Sequence, residues 1–245
     1  MAAAGRGPMT FRSLDATHII GTIERLRRRI TERFPGAGLS GVGDDLFGLA
    51  RECAQEADLL ARPNWPIRLG VVTAITLMGI VVAAAVLGVV QRFNSATQVS
   101  GLSDFVQGVE AGVNDVVFLG IAVYFLVSIE ARFKRRTALR RIHQLRSIAH
   151  IVDMHQLTKD PEHLLSPRDD TASSPIRTMT RSELGRYLDY CSELLSLTGK
   201  IGALFAQRMD DAVVLQAVNE IEDLTNGLSR KIWQKITLLE RVPAG

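Results

Sequence analysis

The chain has 245 residues, with 29 Lys and Arg against 26 Asp and Glu for a formal charge of +3, and it is 47% hydrophobic, 6% aromatic and 22% charged. This length allows one or two domains, and the near-balance of charge excludes a molecule-wide basic field of the kind that holds nucleic acid. A positive mean hydropathy with so few aromatics argues against an ordinary soluble domain, while two widely separated cysteines, Cys53 and Cys191, exclude a disulfide framework and metal spacing and read as small core residues.

Residues 1–12, "MAAAGRGPMTFR", lack the apolar core and cleavage site of a secretory leader and are expected to be a disordered lead. Residues 13–63 read as a cytoplasmic helix pair. Leu14, Ile19, Ile23, Leu26, Ile30 and Phe34 recur at helical spacing, and Pro35 with Gly36 ends that run. The glycine-rich "GAGLSGVG" that follows has no preceding strand and no Lys-Ser/Thr ending, so it is expected to be a connector rather than a phosphate loop. A second helix is expected from Asp44 to Arg62, with Leu46, Leu49, Cys53, Ala57 and Leu60 on one stripe.

Residues 64–131 read as a transmembrane hairpin. Leu69 to Val90 runs 22 residues without a charge, enough at about 1.5 Å per residue to cross roughly 30 Å of hydrocarbon. Asn64, Trp65 and Pro66 mark its start and Gln91 with Arg92 its end, giving a span over about 67–91. The second apolar run, Val116 to Ile129, has only 14 uncharged residues. Extended to 111–131 it reaches about 30 Å and puts Asp115 and Glu130 near the two headgroup layers, where a carboxylate costs less than at the bilayer centre. The outer loop is expected at 92–110. Within and beside it, Asp104, Gln107, Glu110 and Asn114 fall on one helical stripe, and with Asp115 this stripe is a candidate acidic mouth if copies surround an axis. A helix resting in the outer headgroup layer accounts for the same pattern. Small residues four apart, Gly70 with Ala74, Gly79 with Ala83 and Ala84 with Gly88, together with Gly112 and Gly120, would allow close helix approach.

Residues 132–158 read as a basic juxtamembrane helix continuing the second span. Between Ala131 and His150 stand Arg132, Lys134, Arg135, Arg136, Arg140, Arg141 and Arg146 with no acid, which places that side, and with it both termini, in the cytoplasm. Arg132, Lys134, Arg135, Arg136, Arg140 and Arg141 are also candidate partners for anionic headgroups. In the same helix Ile142, Leu145, Ile148, Ala149 and Val152 share one face, and His143, Ser147, His150 and Met154 share the other. His143 and His150 stand two turns apart, about 10.5 Å along the axis, too far for one ion held at about 2.1 Å. A metal at His143, His150, Asp153 or His155 would therefore need ligands from elsewhere.

Residues 159–180, with Pro161, Pro167 and Pro175, read as a linker that ends in Thr180 and Glu183 at capping-box spacing. Residues 181–240 then read as a cytoplasmic helical hairpin. Its first helix carries Leu184, Leu188, Cys191, Leu195, Thr198, Gly202 and Phe205 at coiled-coil-like steps, softened where Thr198 and Gly202 allow close backbone approach. Asp210 or Asp211 caps the second, with Val214, Val218, Ile221, Leu224, Leu228, Ile232 and Leu239 facing inward.

The expected fold is all-α, a two-span membrane hairpin with cytoplasmic helices on both sides and a C-terminal antiparallel pair. No serine elbow, dinucleotide fingerprint, zinc-finger spacing or paired catalytic carboxylates are seen, so no catalytic residue, no cofactor and no enzymatic activity are expected. The expected partners are the bilayer, a second copy of the chain and a cytoplasmic protein, but not nucleic acid. The leading functional expectation is a scaffold or regulator of a bacterial inner (plasma) membrane. An oligomeric pore and a pH- or metal-responsive sensor on the His143 and His150 face are the alternatives.

Overall fold

A computed structural model describes residues 13–95, 102–161 and 178–240. The expected lead at 1–12 and most of the expected linker lie outside the described residues. Among the described residues there are six helices and no strand: α1 (Ala16–Arg33), α2 (Gly38–Ala61), α3 (Trp65–Ser95), α4 (Leu102–Leu157), α5 (Arg181–Arg208) and α6 (Ala212–Glu240). The chain is all-helical and two of its helices are long and apolar. The chain divides into two compact units, one formed by Met1–Ala61 with Arg135–Gly245 and the other by Arg62–Lys134.

The first unit is a helical bundle whose pieces come from both ends of the chain. Asp15 starts α1 by accepting from the Thr17 and His18 amides at 2.8 and 3.4 Å, so this helix begins a turn later than its apolar spacing suggests. The Phe34 amide closes it on the Ile30 carbonyl, and Gly36 turns the chain at φ 77°, a backbone shape that costs glycine little. Here the structure corrects the sequence reading. α2 starts at Gly38 rather than Asp44, so most of "GAGLSGVG" is helix. Leu39 and Val42 are buried two turns and one turn before Leu46, and their burial, on the order of 1.5–3 kcal/mol each, outweighs roughly 1 kcal/mol per helical glycine. Further along, Ala50 is buried and Leu49 is only partly covered.

The α5 and α6 helices run antiparallel, with the Arg181 guanidinium donating to the Glu240 carbonyl at 3.2 Å. Thr180 and Glu183 make the capping box that their spacing announces, and Asp211 accepts from the Val213 and Val214 amides at the start of α6. Every α5 seam residue named from the sequence is buried, from Leu184 to Phe205. On α6 the inward position is Thr225 rather than Leu224, because a β-carbon on Gly199 would lie 3.0 Å from the Thr225 hydroxyl and only a small side chain fits there.

α1 and α2 close on α5. The Phe34 ring meets Tyr187 and Tyr190 edge-on at 5.4 and 6.2 Å, and Arg29 pairs with Glu193 at 2.5 Å. The C-terminal part of α4 completes the core with Ala138, Ile142, Leu145, Ile148, Ala149 and Val152. Lys235 of α6 caps its end, donating to the Gln156 and Lys159 carbonyls at 2.9 and 3.3 Å. Cys53 and Cys191 are free and buried, and burial pushes both thiols up to about 12.

The second unit holds α3 and the first part of α4. Two stretches of the chain are long and apolar enough to cross a membrane, Gly38–Ala84 and Val116–Leu157, and their best 18-residue windows have mean hydropathies of 2.1 and 1.9 with none of either window buried. The first stretch is interrupted between α2 and α3 at 62–64, so its long apolar part belongs to α3. At the foot of the pair the Glu130 carboxylate accepts from the Asn64 amide at 3.0 Å and from Arg68 Nε at 2.8 Å. Lys134 stands 3.0 Å from the same carboxylate and donates to the Arg62 carbonyl at 2.7 Å.

Candidate functional site

The basic run on α4 separates by what each side chain touches. Arg141, only 18% exposed, reaches Glu52 at 2.6 Å and also pairs with Glu56, two carboxylates one turn apart on α2. Arg135 forks onto Asp211 with contacts of 2.8 to 3.1 Å. Arg146 holds Glu220 at 2.6 Å, and Lys134 belongs to the Glu130 cluster. The Arg132 guanidinium lies 4.8 Å over the Phe125 ring. Arg136 and Arg140 are exposed, and among the described residues no carboxylate holds either one. Of the six cations that the sequence offers to headgroups, Lys134, Arg135 and Arg141 thus already have carboxylate partners inside the protein.

These pairs perturb the carboxylates as Coulomb attraction and hydrogen bonding require. For Asp211, burial raises the pKa, but the Arg135 fork and the two amides outweigh it and the net shift is downward. Glu220 is lowered chiefly by Arg146. Glu183 is lowered by the Thr180 amide and hydroxyl.

The histidine face is placed as the helical rotation implies, with Ile142, Leu145, Ile148, Ala149 and Val152 buried and His143, Ser147, His150 and Met154 exposed. Its metal candidates do not converge. Asp153 accepts from the Gln156 amide at 2.6 Å, and the His155 ring lies so close to Gly38 that a β-carbon there would collide with it. Among the described residues no group of three or more His, Cys, Asp and Glu is arranged to hold a metal.

Asp104, Glu110 and Asp115 all lie on α4. Glu110 and Asn114 are exposed, while the side chains of Asp104 and Asp115 lie outside the described residues. In α3 and α4, a β-carbon added at Gly70, Gly79 or Gly120 would meet nothing within 4 Å.

The Glu130 cluster is the site that sequence reasoning missed. Glu130 was legible only as a carboxylate near an expected headgroup layer, although Lys134 four residues on and Arg68 in the first turn of α3 were the signal. These features together define an all-helical protein with two long apolar helices and a charged helical bundle. No protein family, curated protein or solved structure matches the chain.

Proposed function

We propose that the protein is a two-span integral protein of the cell inner membrane with both termini cytoplasmic, acting without catalysis as a self-associating scaffold or regulator through its helical bundle. The observation that carries this reading is that the apolar windows of α3 and α4 hold no buried residue. Leu69, Val81, Val116, Phe118 and Tyr124 are among the residues left open. Soluble monomers rarely expose more than a few hundred Å² of contiguous apolar surface, and a bilayer covers this one. The Glu130 cluster suits that setting, because two cations and an amide satisfy a carboxylate near the membrane boundary. The excess of Lys and Arg after the second span favours the cytoplasmic side for the bundle.

Self-association is assigned to the spans rather than to the α5 seam. The seam is used up within one chain, since its residues are buried, whereas the open glycines of α3 and α4 leave room for a second copy's helix to approach. Leu59, Met154, Leu157 and Trp233, apolar and exposed on the bundle, suit a cytoplasmic protein partner.

The test is carbonate extraction of membranes followed by light scattering of the detergent-solubilised protein. Wild type is expected to resist extraction and to show a multiple of 26.9 kDa, with Gly79→Leu lowering that multiple. Release by carbonate would sink the membrane reading, and a wild-type monomer would sink self-association.

A further inference from the structure

We propose that Arg136 and Arg140 form a binding site for the phosphate of an anionic membrane lipid; this rests on the membrane-spanning reading above. α4 is one uninterrupted helix from Leu102 to Leu157, so positions can be counted along it. Arg136 and Arg140 stand one turn apart on the same face, about 6 Å along the axis. From Ala131, the end of the expected span, they lie roughly 7 and 14 Å further on. The first distance falls within the headgroup layer, and the second is brought toward it by an arginine side chain lying back along the helix.

The partition of the neighbouring cations carries the inference. Arg135, Arg141 and Arg146 each have a carboxylate partner from α2 or α6. Lys134 has Glu130, and Arg132 is drawn over Phe125. Arg136 and Arg140 have no such partner among the described residues, and the face they share continues to His143 and Gln144, both exposed, with no acid between Ala131 and His150. Two like charges one turn apart disfavour the helix by a few tenths of a kcal/mol. An anion between them reverses that effect. A phosphodiester presents two non-bridging oxygens, and a guanidinium fork takes these in a bidentate way that an ammonium does not.

Threading of the chain needs only positive charge, so lysine serves it as well as arginine. A phosphate fork needs arginine. This difference separates a binding site from a topology signal. The experiment uses full-length protein purified in detergent, incubated with phosphatidylglycerol or phosphatidylcholine, with retained lipid counted by native mass spectrometry. Wild type is expected to retain phosphatidylglycerol preferentially, with about a fivefold loss of apparent affinity per arginine removed. The Arg136→Gln, Arg140→Gln double variant is expected to treat both lipids alike. The Arg136→Lys, Arg140→Lys double variant keeps the charge and is expected to fall between them.

Equal retention of the two lipids by wild type, undiminished preference in the glutamine variant, or full preference in the lysine variant would each overturn the proposal. So would displacement of the lipid by inorganic phosphate at matched concentration, which would mark a site for free phosphate. Carbonate extraction of the membranes from which the protein is purified separates the two failures. Wild type stripped from membranes fails the membrane reading, whereas wild type retained in membranes without lipid preference fails this proposal alone.

Discussion

Arg141 shows how much a single cation on α4 depends on its surroundings. It is mostly covered and serves two carboxylates of α2, while the Gln144 side chain accepts from it at 3.0 Å. Arg141→Met would keep the aliphatic stem but leave Glu52 and Glu56 side by side without a counter-charge. The expected cost is about 2 kcal/mol, below that of a fully buried pair because Glu52 is half exposed. Arg28→Met, which removes an exposed pair with Glu24 on α1, should cost less than about 0.5 kcal/mol. Thermal midpoints of the purified variants check this, and equal shifts for the two would refute the distinction. The sequence displays seven cations on one helix but not this division of labour. Partners such as Asp211 and Glu56 lie 76 and 85 residues away from theirs, and helical periodicity carries no information at that range.

At the level of elements, what depends on neighbours a few residues apart was legible. The Thr180 and Glu183 capping box, the buried α5 seam and the α4 face of Ile142 to Val152 all follow from spacings of three and four. The early start of α2 and the inward Thr225 were not legible, because each depends on which partner helix covers the position. The close approach of α5 and α6 yields a paired prediction. A β-carbon at Gly202 would stand 3.0 Å from Ile221 Cγ2, and a β-branched neighbour has little rotamer freedom to withdraw. Gly202→Ala should therefore be destabilising by roughly 1 kcal/mol despite the better helix propensity of alanine. Gly227, within α6, has nothing within 4 Å of such a carbon, and Gly227→Ala should stabilise by about 0.5–1 kcal/mol. Opposite signs in a melting comparison are the expected outcome; a stabilising Gly202→Ala would show that α5 and α6 separate easily.

For the molecule as a whole, the helical class and the two long apolar helices were evident from composition and run length, since twenty apolar residues have few other places to go. The joining of 13–61 with 135–240 into one bundle was not, because an apolar stripe says that a face is covered without saying by what. Two charge pairs across that bundle and the cap of α5 predict its acid response. Asp211, Glu183 and Glu220 all bind protons less readily in the folded chain than an ordinary carboxylate does. Acidification therefore favours the unfolded chain: their contribution is complete above about pH 4 to 5 and is lost as pH falls through the lower folded values. The thermal midpoint should fall steeply below that window, and Asp211→Asn should start lower at pH 7 and fall less. A midpoint insensitive to acid would contradict this. The same discontinuity of the bundle has a consequence in time. During synthesis, α1 and α2 leave the ribosome before the unit Arg62–Lys134, a delay of about 4 to 15 s for some 70 residues at 5 to 20 per second. Ile23, Leu26 and Leu46 are fully buried in a core that the completed bundle shares with α5 and α6, and that core stays incomplete through the interval and beyond it. The nascent N-terminal pair is thus an unfinished surface until the last helix emerges.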